Sequence, residues 1–121
     1  MMIRALTSCS MARARIRSFD EFWPFYLGQH RKRLTRALHL FGTDAAAVAI
    51  VAAAIQRKPK LLLLGLVVVY ACAWLGHFFV EHNRPATFQY PLWSLIADWK
   101  MWVLRLTGRL PAELRRHGIE P

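Results

Sequence analysis

The chain has 121 residues, of which 55% are hydrophobic, and its 17 Lys and Arg against 7 Asp and Glu give a formal net charge of +10. A chain this rich in apolar residues is not a disordered basic tail, and with only two cysteines it is not a secreted disulfide scaffold. Its length fits one folded unit. The classes of protein that remain are a small basic membrane protein and a nucleic-acid binder.

The N-terminal segment is rich in arginine and has no acidic residue before Asp20. Such a composition is typical of a transit peptide, and Met11 is a second candidate start of translation. We expect residues 1–17 to be disordered or a mis-assigned N-terminal extension. A single helical membrane domain is expected at residues 18–108, followed by a polar C-terminal tail at residues 109–121.

The first helix is predicted to begin at Ser18, because Ser18-Phe19-Asp20-Glu21 is a capping box. An aromatic group at residues 22–27 follows, of the kind that lies at the boundary between membrane and water. The basic run at residues 31–36 is expected either to attract anionic lipid headgroups or to form a solvated face.

Two apolar segments predict a hairpin. Leu61 to Val80 contains twenty residues with no Asp, Glu, Lys or Arg and a single histidine, His77, and at about 1.5 Å per residue it reaches the thickness of a bilayer core. Residues 38–55 form a shorter apolar segment, and the basic connection at residues 56–60 contains Pro59. The predicted fold class is therefore all-α, a membrane hairpin of two transmembrane helices with flanking amphipathic or interfacial helices. The alternative is a buried hairpin in a soluble bundle.

A last helical pattern runs from Pro91 to Thr107. It is amphipathic and is expected either to lie in the membrane surface or to pack on the hairpin, with packing accounting for most of its apolar side chains. The residues that form its apolar stripe, at spacings of three and four, are Leu92, Leu95, Ile96, Trp99, Trp102, Val103 and Leu106.

Four of the five histidines lie near the open end of the predicted hairpin. The second arm returns His77 to the face where the first arm begins, close to His39, and His30 lies one short segment upstream. His77 and Glu81 share a helical face, whereas His82 points about 140° away from His77. His30 and His39 are nine positions apart and can share a site only if the helix breaks between them. Three imidazoles and a carboxylate suit iron or zinc, and the alternative for each histidine is a structural role.

Three segments resemble a known family. They are residues 18–30 (SFDEFWPFYLGQH), residues 39–43 (HLFGT) and, most specifically, residues 73–88 (AWLGHFFVEHNRPATF). They are similar to the small bacterial branch of the membrane family that contains the fungal 2-hydroxy fatty acid dioxygenase of sphingoid-base breakdown, over most of residues 18–108. The resemblance implies an all-helical membrane protein and an Fe²⁺-dependent oxidation that shortens a 2-hydroxy fatty acid by one carbon.

The resemblance also implies which residues act. His30, His39 and His77 are the implied catalytic residues and metal ligands, with Glu81 as a further ligand and His82 as its alternative. Arg84 is expected either to pair with the carboxylate of a fatty acid or to anchor the chain at lipid phosphates. The predicted function is a membrane-embedded Fe²⁺-dependent dioxygenase acting on 2-hydroxy fatty acids or related lipids. The alternative is a non-enzymatic small integral membrane protein with structural histidines.

Basic residues predict the orientation. More of them lie on the histidine side of the hairpin than in its loop, so the metal site is expected to face the cytoplasm from a bacterial inner membrane. The expected partners are membrane lipids and a fatty acyl substrate. Although the charge of +10 would attract any polyanion, no base-reading motif is present, and no nucleic-acid partner is expected.

Overall fold

A computed structural model describes residues 15–121 of the chain. Every regular element in this part is helical, which confirms the predicted all-α fold class. The helices are α1 (Phe19–Gly28), α2 (Arg33–Gln56), α3 (Lys60–Leu75), α4 (Pro91–Leu106) and α5 (Leu110–Arg116). Helix α3 continues into a π-helical segment (Gly76–Glu81), and a short 3-10 turn (Ala86–Phe88) precedes α4.

Helix α1 begins at the predicted cap. The backbone N–H of Glu21 donates to the Ser18 hydroxyl at 3.2 Å, and the Glu21 carboxylate accepts from the backbone N–H of Arg17 at 3.3 Å. These bonds satisfy two backbone donors at the helix start.

The hydrophobic core lies beside the hairpin, among α1, α4 and α5. Phe22, Tyr26 and Leu27 are almost completely buried. They form one cluster with Ala97, Met101, Leu110, Leu114 and Ile119. The aromatic pattern alone predicts a position at the membrane boundary, but the structure buries these rings because α4 and α5 cover them.

Helices α2 and α3 form the predicted antiparallel hairpin. Helix α2 ends at Gln56, Arg57 takes a left-handed conformation with φ 53°, and α3 begins directly after Pro59. The helices cross closely at Gly65, where an added Cβ would lie 2.6 Å from the Cβ of Ala49. Small residues permit such close approach of two apolar helices.

Both arms of the hairpin are long and apolar enough to cross a membrane. The two segments are Arg33–Gln56 and Lys60–Glu81, and only 28% and 22% of their most apolar windows are buried inside the molecule. A core helix of a soluble protein is mostly buried, so these exposed apolar faces favour the membrane hairpin over the soluble bundle.

Helix α4 packs through a different face from the one that its apolar stripe predicts. The buried residues are Ser94, Ala97 and Met101. Most of the stripe points outward, since Leu92 is 65% exposed and Leu106 is 60% exposed, whereas Trp99 and Trp102 are half-buried. The small side chains of Ser94 and Ala97 let α4 approach its neighbours, and the exposed part of the stripe faces the same surroundings as the outer faces of the hairpin.

The structure describes the C-terminal end of the chain and only the last part of its N-terminal segment. Within the expected polar tail, α5 and the residues after it bury Leu110, Leu114 and Ile119 against α1 and α4. The prediction for residues 1–17 falls mostly outside the described residues. At the first described positions, the backbone N–H of Ile16 donates to the Tyr90 hydroxyl at 3.0 Å.

Candidate metal centre

Three histidines from separate parts of the chain meet at the open end of the hairpin. His30 follows α1, His39 lies on α2 and His77 lies in the π-helical segment, and all three are buried. The ring centroids of His30 lie 4.9 Å from His39 and 4.6 Å from His77. One candidate ligand nitrogen from each ring lies within 4.8 Å of the other two. This spacing brings the three rings around one point.

A break in the helical path permits this meeting. Helix α1 ends at Gly28 and α2 starts at Arg33, so His30 lies in the turn between them. The buried guanidinium of Arg36 holds this turn by donating to the backbone carbonyls of His30 and Arg31 at 2.8 and 2.6 Å. The structure therefore contains the break that His30 and His39 need in order to face each other.

His77 is positioned by close packing and by a loop. An added Cβ at Gly76 would lie 3.1 Å from the Thr35 Cγ2 atom, so the glycine brings the π-helical segment against α2. After this segment the chain turns, and the Asn83 side chain accepts a hydrogen bond from His77 Nδ1 at 2.8 Å. The Asn83 amide group in turn donates to the Gln29 carbonyl at 3.2 Å, which orients the amide.

Each imidazole uses one nitrogen as a hydrogen-bond donor. His30 Nδ1 donates to the Tyr26 carbonyl at 2.7 Å, and His39 Nε2 donates to the Asp98 carboxylate at 2.6 Å. Because those acceptors and the Asn83 oxygen cannot donate, the hydrogen must lie on the bonded nitrogen. The other nitrogen of each ring, Nε2 of His30, Nδ1 of His39 and Nε2 of His77, keeps a lone pair.

The lone-pair nitrogens fit a divalent metal ion. Among the described residues, Nε2 of His30 and Nδ1 of His39 are buried without any hydrogen-bond partner. A buried polar atom normally has a partner, and an ion is one explanation for its absence. Metal-bound histidines almost always donate their second nitrogen to a carboxylate, carbonyl or similar group, which is the pattern of these three rings.

Asp98 is the residue at this centre that sequence reasoning missed. Its carboxylate oxygen accepts from His39 and also from the Tyr26 hydroxyl, at 2.7 Å. The available signal was an acidic residue on the face of the last helix opposite its apolar stripe. A sequence pattern does not say which histidine such a residue faces.

Burial keeps the side chains of Tyr26 and His30, at the end of α1, uncharged at neutral pH. Removal from water lowers the pKa of His30 well below the usual 6.5, and the neighbouring His39 and His77 lower it further. Burial, and then the charge of Asp98, raise the pKa of the Tyr26 hydroxyl well above 10.0. At neutral pH His30 is therefore the neutral imidazole that binds metals, and Tyr26 remains a hydrogen-bond donor.

The other predicted site residues lie outside the three-histidine group. The Glu81 carboxylate accepts from the backbone N–H of Lys32, at the start of α2. The His82 side chain is exposed, and the backbone of His82 takes a left-handed conformation with φ 59°. Arg84 is also exposed, and its guanidinium lies 5.9 Å from the centre of the Phe88 ring.

A cavity of about 320 Å³ adjoins the centre. His39, His77 and Asp98 line one part of it, and α2, α3, α4 and the segment before α4 line the remainder with mostly apolar side chains. The volume lies in the range of small-molecule sites. A ligand in this cavity would contact the centre directly.

Comparison with known proteins places the chain in a family. Residues 16–110 match the family model described as 2-hydroxy-palmitic acid dioxygenase Mpo1-like. No curated protein and no solved structure gives a significant match. The family match covers most of the chain and includes all three histidines of the centre, in agreement with the resemblance found in the sequence. The chain therefore belongs to the 2-hydroxy-palmitic acid dioxygenase Mpo1-like family.

Proposed function

We propose that the protein is a membrane-embedded, Fe²⁺-dependent dioxygenase that acts on 2-hydroxy fatty acids, with His30, His39 and His77 as its catalytic metal ligands. The observation that carries this proposal is the set of three lone-pair nitrogens, each on a ring whose other nitrogen is held by a hydrogen bond. Imidazoles suit several divalent metals. The family's dioxygenase name favours iron, because zinc has no redox chemistry.

The protein's own residues would hold and orient the reactants. When bound, Fe²⁺ supplies the redox chemistry that a reaction with dioxygen requires. Asp98 keeps the hydrogen on His39 Nε2 and so leaves the Nδ1 lone pair that would bind the ion, while Asn83 holds the hydrogen on His77 Nδ1 and leaves Nε2 for the same role. The buried walls around the three rings exclude bulk water from this end of the cavity.

The proposed substrate places its polar end at the histidines. Thr43 and Asp98 add polar side chains there, and the rest of the cavity offers apolar contacts for an acyl chain. Arg84 precedes Pro85, which lines the cavity. We propose Arg84 as an outer contact for the carboxylate of the arriving acid.

Measurements of metal content and oxygen uptake test the proposed dioxygenase activity. Purified protein should retain stoichiometric iron and consume oxygen with 2-hydroxypalmitic acid but not with palmitic acid. The His77→Ala variant should lose both properties. The matched control is His82→Asn, because His82 is exposed and asparagine tolerates its left-handed backbone.

Two results would count against the enzyme. Retention of iron by His77→Ala would mean that the ion is bound elsewhere. Absence of iron from the parent protein, together with unchanged stability of His39→Ala and His77→Ala, would remove the proposed metal site altogether.

We propose that the hairpin lies in a bacterial inner membrane, with membrane lipids as partners. The exposed apolar faces of both arms support this location. The protein should stay with the membrane fraction in high salt and leave it only in detergent. Release by salt alone would instead indicate electrostatic adsorption of a soluble bundle.

A further inference from the structure

The cavity beside the three histidines continues as a groove along the hairpin. On α2 its lining runs from His39 through Ala46 to Ile50, and on α3 and the π-helical segment it runs from Leu62 to His77. Helix α4 borders the groove from a third side. These residues recur at helical spacing, so the groove follows the seam between the two helices. Its axis is therefore close to that of the hairpin.

The two ends of the groove differ in polarity and exposure. At the closed end His39 and His77 are buried and Asp98 lies beside them. At the far end the lining is apolar, and Ile50, Leu62 and Leu66 are each about half exposed. The groove thus has a polar, enclosed head and an apolar tail that opens sideways.

The length of the groove matches one bilayer leaflet. Eleven positions separate His39 from Ile50, which at about 1.5 Å per residue is about 17 Å. One leaflet of a hydrocarbon core about 30 Å thick spans about 15 Å. An acyl chain that lies in a leaflet has the length, polarity and direction that this groove accepts.

We propose that the seam between α2 and α3 is the acyl-chain site, an inference that rests on the proposed function. The acyl chain enters this site sideways from the lipid. Ile50, Leu62 and Leu66, at the exposed end, set the preferred chain length. The polar head of the acid then lies at the histidines, and its terminal methyl group lies at the exposed end. Shorter acids leave this end of the groove empty.

Photolabelling locates the chain without any turnover. The probe is a 2-hydroxypalmitic acid analogue with a diazirine at its terminal carbon, added in the absence of oxygen to the full protein in lipid nanodiscs. Labelled peptides should map to Ile50, Leu62 and Leu66, and unlabelled 2-hydroxypalmitic acid should suppress the labelling. Labelling of the outward-facing Val48 and Val51, or labelling that the acid does not suppress, would overturn the proposal.

A pair of variants tests the chain-length role. Leu66→Trp should fill the open end, whereas Val67→Trp adds the same ring at a neighbouring position outside the groove. The two native side chains are 52% and 58% exposed, so neither substitution disturbs a packed core. The measurement is competition against a diazirine analogue of 2-hydroxyoctanoic acid in each variant.

The expected result is a selective loss. The Trp ring takes the space where the terminal methylenes of 2-hydroxypalmitic acid lie, so that acid loses its contacts at this end of the groove. 2-Hydroxypalmitic acid should therefore compete less well in Leu66→Trp, while 2-hydroxyoctanoic acid competes as before, and Val67→Trp should change neither. Equal behaviour of the two variants would overturn the chain-length role.

Photolabelling and oxygen uptake test the acyl-chain site and the dioxygenase activity separately. Labelling within the groove without iron binding or oxygen uptake would support the acyl site and refute the dioxygenase. Oxygen uptake that depends on His77, combined with labelling outside the groove, would refute the acyl site alone.

Discussion

Asp98 joins the candidate metal centre to the core through one side chain. Its carboxylate accepts from the Tyr26 hydroxyl of α1 and from the His39 ring of α2. Because an ionised carboxylate only accepts hydrogen bonds, it holds the hydrogen on His39 Nε2 and leaves Nδ1 directed away from it. A residue 59 positions along the chain from His39 therefore selects the nitrogen that His39 offers to a metal.

Replacing this carboxylate should weaken metal binding without removing any ligand. We expect Asp98→Asn to lower the affinity for iron by about 10- to 100-fold, as is typical when the outer partner of a ligating histidine changes. The affinity is measured by competition with a chelator of known strength.

Asp44→Asn is the matched control for this substitution. The Asp44 carboxylate pairs with Arg105 and accepts from the Trp102 ring nitrogen at 2.8 Å, away from the three histidines. This variant should keep its affinity for iron. An equal loss in both variants would show that Asp98 acts only through general stability.

At the scale of elements, the close crossing of α2 and α3 depends on Gly65. An added Cβ would lie 2.6 Å from Ala49 Cβ, so Gly65→Ala should force the helices apart. We expect a loss of about 1–3 kcal/mol in the free energy of unfolding, the usual cost of overpacking. Denaturant unfolding in detergent measures it.

Gly28→Ala is the comparison for that variant. An added Cβ at Gly28 meets nothing within 4 Å, and the position has an ordinary helical backbone. The substitution should be neutral or slightly stabilising, because alanine reduces the freedom of the unfolded chain. Similar destabilisation by both substitutions would contradict the steric explanation.

Helix α5 is tied to α1 by a hydrogen bond that depends on pH. The Trp23 ring nitrogen donates to the Glu113 carboxylate at 2.9 Å, and this bond is the main cause of the lowered pKa of Glu113. Because the folded pKa lies below the ordinary 4.5, the unfolded chain binds the proton more readily. The stabilisation is complete above about pH 4.5 and disappears as the pH falls through the lower folded value.

The substitution Glu113→Gln should remove this dependence. Because a neutral amide oxygen is a weaker acceptor than a carboxylate, we expect a loss of at most about 1 kcal/mol at neutral pH, and a smaller difference from the parent protein in acid. Thermal unfolding between neutral and acidic pH measures both effects. A difference that stays constant as the pH falls would contradict the assigned role of the carboxylate.

At the scale of the whole molecule, the distribution of basic residues predicts orientation. The histidine end of the hairpin carries more basic residues than the loop, so we expect that end to face the cytoplasm. In a background with the native cysteines replaced by alanine, a membrane-impermeant maleimide added to intact cells should label Lys58→Cys in the loop and spare Arg31→Cys. The reverse pattern would place the metal centre on the outer face.

Local features made much of this fold predictable. The capping box at Ser18 and the apolar lengths on either side of Pro59 predict where helices begin and how the hairpin turns, because each depends on neighbours within a few residues. The nine-residue spacing of His30 and His39 also showed that a shared site requires a helix break, since the angle per residue of a helix is constant. The structure contains that break between α1 and α2.

Other features depended on which surfaces meet, and a single pattern does not contain that information. The face that α4 buries, the burial of Leu114 after the predicted end of the domain, and the contact of Asp98 with His39 all join residues distant in the chain. Glu81 lies one helical turn from His77, yet its carboxylate bonds to the backbone of Lys32 instead of joining the three rings. The sequence alone determined the helices and brought the histidines to one end of the hairpin. Only the tertiary structure decided which ring nitrogens keep a lone pair for a ligand and which side chains orient the rings, because packing in three dimensions selects the hydrogen-bond partners.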